Sequence, residues 1–144
     1  MDAMLQNKEL SLVQKLGKLL QDHNGIDVLA MDMRPLDFWT DFFVITTVTS
    51  STHMEGMERH IKEFVKENKL EILYRSSRPN KNSMPNLSEQ DLTEIGPDEW
   101  RLLDLGGIVI HLMTSKSRSF YELERLWSSA PLVSIEAGHS SKSS

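Results

Sequence analysis

Two apolar runs joined by adjacent glycines constrain the fold of this chain more than any other stretch. The first run covers residues 99–105, Gly106 and Gly107 follow, and the second run covers residues 108–113. Adjacent glycines adopt positive φ without Cβ strain, so this pattern predicts a tight hairpin between two strands. Alternate side chains point to opposite faces of a strand, and both faces of the second run are mainly apolar. We therefore expect this strand to be central in a sheet that helices cover on both sides.

Helical and strand patterns alternate along the rest of the chain. Apolar residues recur at helical spacing in some segments, and short runs of β-branched and aliphatic residues lie between them. The pattern predicts a helix over residues 6–23, strands over 26–33 and 42–48, a helix after Ser50, and a short strand over 70–74. The hairpin and a final helix complete the order. This order of helices and strands predicts an α/β fold: a single domain with a mixed sheet of about five strands flanked by helices.

Capping patterns predict where three helices begin or end. Asn24 and Gly25 predict the end of the first helix, because glycine accepts the left-handed conformation found after a helix. Ser50 offers a hydroxyl N-cap to the second helix. Ser119 and Glu122 have the spacing of a capping box, so we expect the last helix to begin near Ser119 or slightly earlier.

Length and composition divide the chain into a domain and a short extension. A chain of 144 residues is long enough to bury a core. We expect one domain over residues 1–128, with a long, polar and exposed loop over 75–98 in which Ser88 and Asp91 cap a single helical turn. Residues 129–144 form a C-terminal extension whose small, polar end is predicted to be disordered.

Composition excludes several classes of protein. The chain contains no cysteine, so it has no disulfide, no thiolate zinc site and no cysteine nucleophile. No apolar run approaches the ~18 residues that span a bilayer, and the N-terminus lacks the apolar core of a secretory signal. We therefore expect a cytoplasmic protein with no membrane partner. The net charge of −5 is unlike the basic surface of a nucleic-acid-binding protein, which predicts little direct nucleic-acid binding.

Acidic residues are concentrated before and within the first strand of the hairpin. Residues 89–104 contain six acids and one base, Arg101. An acidic cluster beside an exposed Trp100 suits a basic protein partner, and a tryptophan with charged neighbours is typical of an anchor in a protein interface. Two alternatives stay open at this point: the acids form a solvated face without a partner, and Trp100 belongs to the core.

No group of residues in the sequence predicts catalysis. Asp32, Asp41 and Asp104 lie near strand ends, where carboxylates hold metal ions in some enzymes, but solvation and turn capping explain them more simply. Residues 49–53 have the hydroxyls of a phosphate site but neither its glycines nor its lysine, so helix capping is the better interpretation. His111 alternates with core aliphatic residues, which predicts a satisfied and partly buried side chain. We therefore assign no catalytic residue, no metal ligand and no cofactor.

Three separate motifs occur in order along residues 10–128. They are residues 40–45 (TDFFVI) with 49–53 (TSSTH), Trp100 with residues 104–106 (DLG) and 109–111 (VIH), and Arg118 with residues 121–127 (YELERLW). Together they resemble the Iojap family of ribosomal silencing factors. The resemblance implies a small α/β domain related in fold to nucleotidyltransferases but without their catalytic acids.

The resemblance also implies a function. Family members bind a large-subunit ribosomal protein, the uL14-type protein, on the face that meets the small subunit, and they thereby block subunit joining and repress translation under nutrient limitation. The partner-facing residues implied here are Trp100, Leu105 and Tyr121. An interface anchor is largely exposed in the free protein, so we expect Trp100 to be exposed. The expected partner is the large ribosomal subunit, reached through a basic ribosomal protein, and the formation of a homodimer is left open.

Two features depart from the family pattern. The family usually has an aspartate after the motif glycine, where this chain has Gly107, and its connection corresponding to residues 75–98 is shorter. Gly107 removes that carboxylate, and the longer loop alters the rim of the interface. The competing hypothesis is an enzyme, a metal- or nucleotide-dependent transferase of the nucleotidyltransferase type that uses Asp32, Asp41 and the turn at residues 50–51.

Overall fold

Six strands form one mixed sheet in this computed structural model, which describes residues 2–77, 84, 87–96 and 98–135. The strands are β1 (Ile26–Asp32), β2 (Phe42–Val48), β3 (Tyr74–Ser76), β4 (Trp100–Asp104), β5 (Ile108–Thr114) and β6 (Leu132–Val133). The helices are α1 (Asp2–Asp22), α2 (Ser51–Glu67), α3 (Glu89–Thr93), α4 (Ser115–Tyr121) and α5 (Leu123–Leu126), and a short 3₁₀ turn, Arg34–Leu36, follows β1. The strand order across the sheet is β3-β4-β5-β2-β1-β6. The α/β fold and the mixed sheet are confirmed, with one strand more than predicted.

Two strongly apolar strands, β2 and β5, lie side by side in the middle of the sheet. They run parallel, with Phe42 opposite Ile108 and Val48 opposite Thr114, whereas the other neighbouring pairs of described strands are antiparallel. Every residue of β2 is buried, as is every residue of β5 except the last. Parallel strands need cover on both faces, which explains their continuous apolar sequences. The central position predicted for the second hairpin strand is confirmed.

Helices cover the sheet on both faces, and each face has its own core. Ile108, Ile110 and Leu112 pack with α1 and α2, while Val109 and Met113 pack with α3, α5 and the loop after β1. We call these the α1–α2 core and the α3–α5 core. The division of side chains between the two faces of β5 follows the predicted alternation. Within the described residues, no helix is long and apolar enough to cross a membrane.

The glycine pair lies in the turn between β4 and β5, which form an antiparallel hairpin. Leu105 N donates to Ile108 O at 2.8 Å, and Gly106 has a φ of 107°, a conformation that residues with a Cβ rarely adopt. Only Gly106 of the pair uses the positive φ that the sequence predicts for both. Gly107 lies beside the Glu9 carboxylate, which would have to move if this position carried a Cβ.

The ends of the first two helices confirm one predicted cap and correct another. Asn24, with a φ of 69°, takes the left-handed conformation predicted for Gly25. Gly25 is required for a different reason, since a Cβ there would lie 2.7 Å from Leu20 O. Ser50 caps α2 as predicted, and its hydroxyl accepts a hydrogen bond from His53 N at 3.0 Å.

The last predicted helix is two short helices. The Thr114 hydroxyl accepts a hydrogen bond from Ser117 N at 3.2 Å, so α4 begins at Ser115. Glu122 has a φ of 47° and separates α4 from α5. The helix begins before Ser119, as the sequence allows, but its cap is not Ser119, because Thr114 at the end of β5 supplies the cap about one turn earlier.

The segment between α2 and β4 is less exposed than its composition suggests. The strand predicted over 70–74 is instead β3, which begins at Tyr74 and pairs with β4. The turn capped by Ser88 is confirmed, since its hydroxyl accepts a hydrogen bond from Asp91 N at 3.0 Å. The expectation of an exposed loop over 75–98 is wrong for four side chains buried in the α3–α5 core: Met84, Leu87, Leu92 and Ile95. The rest of this loop includes positions outside the described residues: 78–83, 85–86 and 97.

Residues beyond position 128 continue the fold. Ala130 is buried, and β6 pairs with β1 so that Val133 lies opposite Ala30. Ile135 packs against Gly17 of α1, where an added Cβ would lie 2.6 Å from Ile135 Cδ1. The sheet therefore extends past the residue at which the sequence predicts the domain to end. The tail predicted to be disordered lies outside the described residues.

Candidate partner-binding surface

Trp100 lies inside the protein and not on its surface. Its side chain is 0% exposed and packs with Leu102 in the α3–α5 core. The expectation that Trp100 is exposed in the free protein is therefore wrong. The charged neighbours are misleading, because alternation along β4 directs Arg101 to the opposite face of the sheet, where it pairs with Glu58 of α2.

A buried histidine holds the polar atom of the Trp100 indole. Trp100 Nε1 donates a hydrogen bond to His111 Nδ1 at 3.0 Å. His111 is 0% exposed, and burial lowers its pKa to about 3, so the imidazole is neutral. His111 Nε2 is also buried and has no hydrogen-bond partner among the described residues. The histidine is fully buried and not partly buried as predicted, and only one of its two ring nitrogens is satisfied.

Trp100 supports an aromatic pair that reaches the surface. Its ring centroid lies 5.1 Å from that of Tyr121, which is half-buried. Tyr121 in turn contacts Phe120 edge to face, with 4.8 Å between centroids, and Phe120 is 68% exposed. Phe120 is the surface aromatic that sequence reasoning misses. A signal was present, because Lys116 lies four residues before Phe120 on the same helix, as expected for its solvent side.

Acidic side chains surround the exposed edge of Tyr121. Its hydroxyl donates to Asp91 O of α3 at 3.0 Å. Burial raises the pKa of Tyr121, and the negative charges of Asp91, Glu94 and Glu99 raise it further. Phe120 and Tyr121 with these three carboxylates are called the aromatic–acidic surface below. Lys116 pairs with Glu99 at 3.6 Å, and the other two carboxylates leave this surface with a net negative charge, which favours a positively charged partner.

Leu105 lies apart from the other two residues that the resemblance implies. It follows the last residue of β4, whereas Trp100 is the first, which separates their backbones by about 17 Å at ~3.3 Å per residue. Leu105 is 9% exposed and belongs to the α1–α2 core on the other face of the sheet. The structure therefore brings Trp100 and Tyr121 together and leaves Leu105 at the hairpin turn, near the exposed Leu73.

A buried arginine fixes the helix that carries the aromatic pair. Arg118 of α4 is 8% exposed and donates to Ile26 O at 3.3 Å and to Thr47 Oγ1 at 3.1 Å. Its Nε also contacts Glu124 of α5 at 3.3 Å. These contacts join α4 to β1 and β2, so that Phe120 is presented from a helix with a fixed orientation.

Asp32 and Asp104, two of the carboxylates near strand ends, form hydrogen bonds with neighbouring residues of the fold. Asp32 accepts two hydrogen bonds from the Arg34 guanidinium, at 2.8 and 2.7 Å, which lower the pKa of the carboxyl. Asp104 accepts a hydrogen bond from Gly106 N at 2.8 Å in the hairpin turn. Across the part of the chain that the structure describes, no group of three or more His, Cys, Asp or Glu side chains is placed to hold a metal ion. Helix capping by Ser50 likewise supports the simpler interpretation of residues 49–53.

Comparison with solved structures supports the fold. A protein from Bacillus halodurans shares it with a TM-score of 0.60 and 25% sequence identity, over 90% of this chain and 99% of that one. A protein from Chromobacterium violaceum shares it with a TM-score of 0.61 and 22% identity, over 91% of this chain and 94% of that one.

Comparison of sequences gives the family. The chain is 28% identical over 128 residues to the ribosomal silencing factor RsfS of Bacillus subtilis, covering 89% of this chain and 94% of that protein. It is 32% identical over 112 residues to RsfS of Treponema pallidum, covering 78% of this chain and 86% of that protein. It is 29% identical over 115 residues to the mouse mitochondrial assembly of ribosomal large subunit protein 1, covering 80% of this chain and 44% of that protein. A family model described as ribosomal silencing factor during starvation matches residues 6–144, and the chain therefore belongs to the ribosomal silencing factor family.

Proposed function

We propose that this protein silences translation by binding the large ribosomal subunit through the aromatic–acidic surface. Membership of the ribosomal silencing factor family supports a role at the ribosome. The observation that carries the proposal is Phe120, which is 68% exposed and rests against the half-buried Tyr121. An exposed aromatic side chain on a fixed helix, with a charged rim, has the features of an interface anchor.

The proposed partner is a basic ribosomal protein of the large subunit, of the uL14 type. The carboxylates of Asp91, Glu94 and Glu99 attract a positively charged surface and speed the encounter with it. The net charge of −5 makes the phosphate backbone of RNA a less favourable partner. The ribosomes concerned are proposed to be those of the cytoplasm.

The three residues implied by the resemblance are proposed to act differently within the interface. Tyr121 contacts the partner directly, together with Phe120. Trp100 supports Tyr121 from below, because it has no exposed surface of its own. Leu105 contacts the partner at the hairpin turn, where the neighbouring Leu73 is 62% exposed.

The proposed mechanism is steric and requires no chemical change in either subunit. Bound protein keeps the small subunit from joining the large one and thereby represses translation under nutrient limitation. Light scattering of subunit joining, with and without the protein, measures the block. The block is expected to disappear once the protein is washed away, and a block that persists would indicate modification of a subunit and support an enzymatic function.

Sedimentation with purified subunits tests the site. We expect the protein to migrate with the large subunit, and Phe120→Ala to weaken that binding about thirtyfold, or ~2 kcal/mol, through loss of an aromatic anchor. Leu132→Ala is the control, because Leu132 is 65% exposed but lies on the edge strand β6 and is not part of the aromatic–acidic surface. Migration with the small subunit alone, or equal losses in both variants, would contradict the proposal.

A further inference from the structure

We propose that His111 is a positioning residue for partner binding: its imidazole fixes the Trp100 indole, and the indole fixes Tyr121 at the surface. This role rests on the proposed function of the aromatic–acidic surface. His111 is too deep to touch a partner, since it is 0% exposed in a central strand of the sheet. Its influence must therefore pass through the rings that lie between it and solvent.

Four side chains form a continuous path from the middle of the sheet to the surface. His111 and Trp100 are both 0% exposed, Tyr121 is half-buried, and Phe120 is 68% exposed. Each contacts the next, through the hydrogen bond between the first two and ring packing between the others. A change in the orientation of the indole therefore changes the support beneath Tyr121, whose hydroxyl is held separately by Asp91 O.

The hydrogen bond between His111 and Trp100 has only one possible direction. An indole Nε1–H donates and cannot accept, so His111 Nδ1 is the acceptor and the ring proton is on Nε2. Because burial keeps this imidazole neutral, the acceptor is available throughout the physiological pH range. Phe43 packs edge to face on the imidazole at 4.5 Å between centroids and restricts its rotation.

His111 satisfies one buried donor and leaves another without a partner among the described residues. Its Nε2–H is buried without a partner among the described residues, and an unpaired buried donor is unfavourable. An apolar side chain of similar size would remove that unpaired donor but would leave the buried Nε1–H of Trp100 without its acceptor. What the imidazole supplies, and an apolar side chain cannot, is a fixed acceptor for the indole of Trp100.

Two polar substitutions of His111 separate positioning from packing. In His111→Asn the amide oxygen lies near the position of Nδ1 and can still accept from the indole, whereas in His111→Gln the amide lies near Nε2. We expect His111→Asn to bind the large subunit within about twofold of the native protein and His111→Gln to bind about tenfold more weakly. The signal of the Trp100 indole N–H in ¹⁵N-resolved NMR spectra should move strongly only in His111→Gln, and so should the ring signals of Phe120 and Tyr121.

The measurements distinguish failure of this inference from failure of the proposed function. If both variants bind the large subunit as the native protein does, His111 is not a positioning residue. If the native protein does not bind the large subunit, the proposed function is wrong. Unchanged ring signals of Tyr121 in His111→Gln would overturn the positioning role, whatever the binding result. If His111→Gln does not fold, Trp100→Phe replaces it, because phenylalanine keeps an aromatic ring but has no donor. Native affinity in Trp100→Phe would overturn the inference.

Discussion

Glu58→Gln is expected to destabilise the protein strongly, because this carboxylate joins α2 to the sheet in a buried ion-pair network. Glu58 is 4% exposed and accepts hydrogen bonds from Arg101 at 2.8 Å and from Arg75 at 3.1 Å. Burial by itself raises the pKa of Glu58, but the hydrogen bonds from Arg75 and Arg101 outweigh burial and hold the pKa below its ordinary value. The carboxylate is therefore ionised at neutral pH, where it compensates the charge of a buried arginine.

The loss of stability in Glu58→Gln depends on the ion pairs that Arg101 retains after the substitution. Removing one member of a buried ion pair costs about 3–5 kcal/mol, because the remaining charge is still desolvated. Arg101 is 6% exposed, and its remaining ion pair is with Asp98 at 2.5 Å, a side chain that is 42% exposed and screened by solvent. We therefore expect a loss near the lower limit, about 3 kcal/mol. With an unfolding entropy of about 2.1 cal/mol/K per residue, this loss lowers the Tm by about 10 °C.

Urea unfolding at pH 7 measures the loss directly. Glu55→Gln is the control, since Glu55 is exposed on the same helix and undergoes the same chemical change, and we expect an effect within about 0.5 kcal/mol. Combining Glu58→Leu with Arg101→Met removes both buried charges and is expected to cost less than Glu58→Gln alone. A free energy of unfolding for Glu58→Gln within about 1 kcal/mol of the native value would refute the reasoning.

Three further predictions concern Glu9, Trp100 and Arg34. Burial, together with the neighbouring Asp41 carboxyl, raises the pKa of Glu9 from 4.5 to about 7. A carboxyl whose pKa is raised by folding stabilises the folded state fully when the pH is below the pKa in the unfolded state. That contribution is lost as the pH rises through the pKa in the folded state. The urea midpoint should therefore fall between pH 5 and pH 7 more in the native protein than in Glu9→Gln, and parallel curves would contradict this. Trp100→Ala should lose about 3–5 kcal/mol of stability by leaving a cavity, and an unchanged melting temperature would show that the indole is not core. Arg34→Met should cost about 1 kcal/mol or less in urea unfolding, because its ion pair with Asp32 is partly exposed, and a loss several times larger would show that the pair is more shielded from solvent.

The central strands were predictable because their evidence is local. Both β2 and β5 are continuous apolar runs with clear boundaries, and the glycines of the hairpin mark the turn between β4 and β5. The position of Trp100 was not predictable in this way. Glu99 and Arg101 beside it suggest a surface, but Arg101 is buried because Glu58, far away in the chain, neutralises it. A sequence read locally does not show that pairing.

The candidate surface was predictable only in part for the same reason. Tyr121 was identified from its motif, and Asp91, Glu94 and Glu99 from the local excess of negative charge. Phe120 lies on α4, which ends before the left-handed Glu122 and is joined to β1 and β2 by Arg118, and these distant contacts are not visible in the local sequence. Short segments such as the two-residue β6 have little pattern of their own, and their pairing with a strand such as β1 is not visible in the local sequence.

The parallel contact between β2 and β5 has a consequence for how the chain folds. The antiparallel pairs β1–β2 and β4–β5 each require only a short loop to close. The parallel pair β2–β5, in which Phe42 lies opposite Ile108, requires a long loop to close. The entropy lost on closing a long loop opposes this pairing until β2 and β5 can bury their apolar side chains together. The protein can therefore be regarded as two locally formed hairpins, and their docking at the middle of the sheet is the step we expect to limit the folding rate.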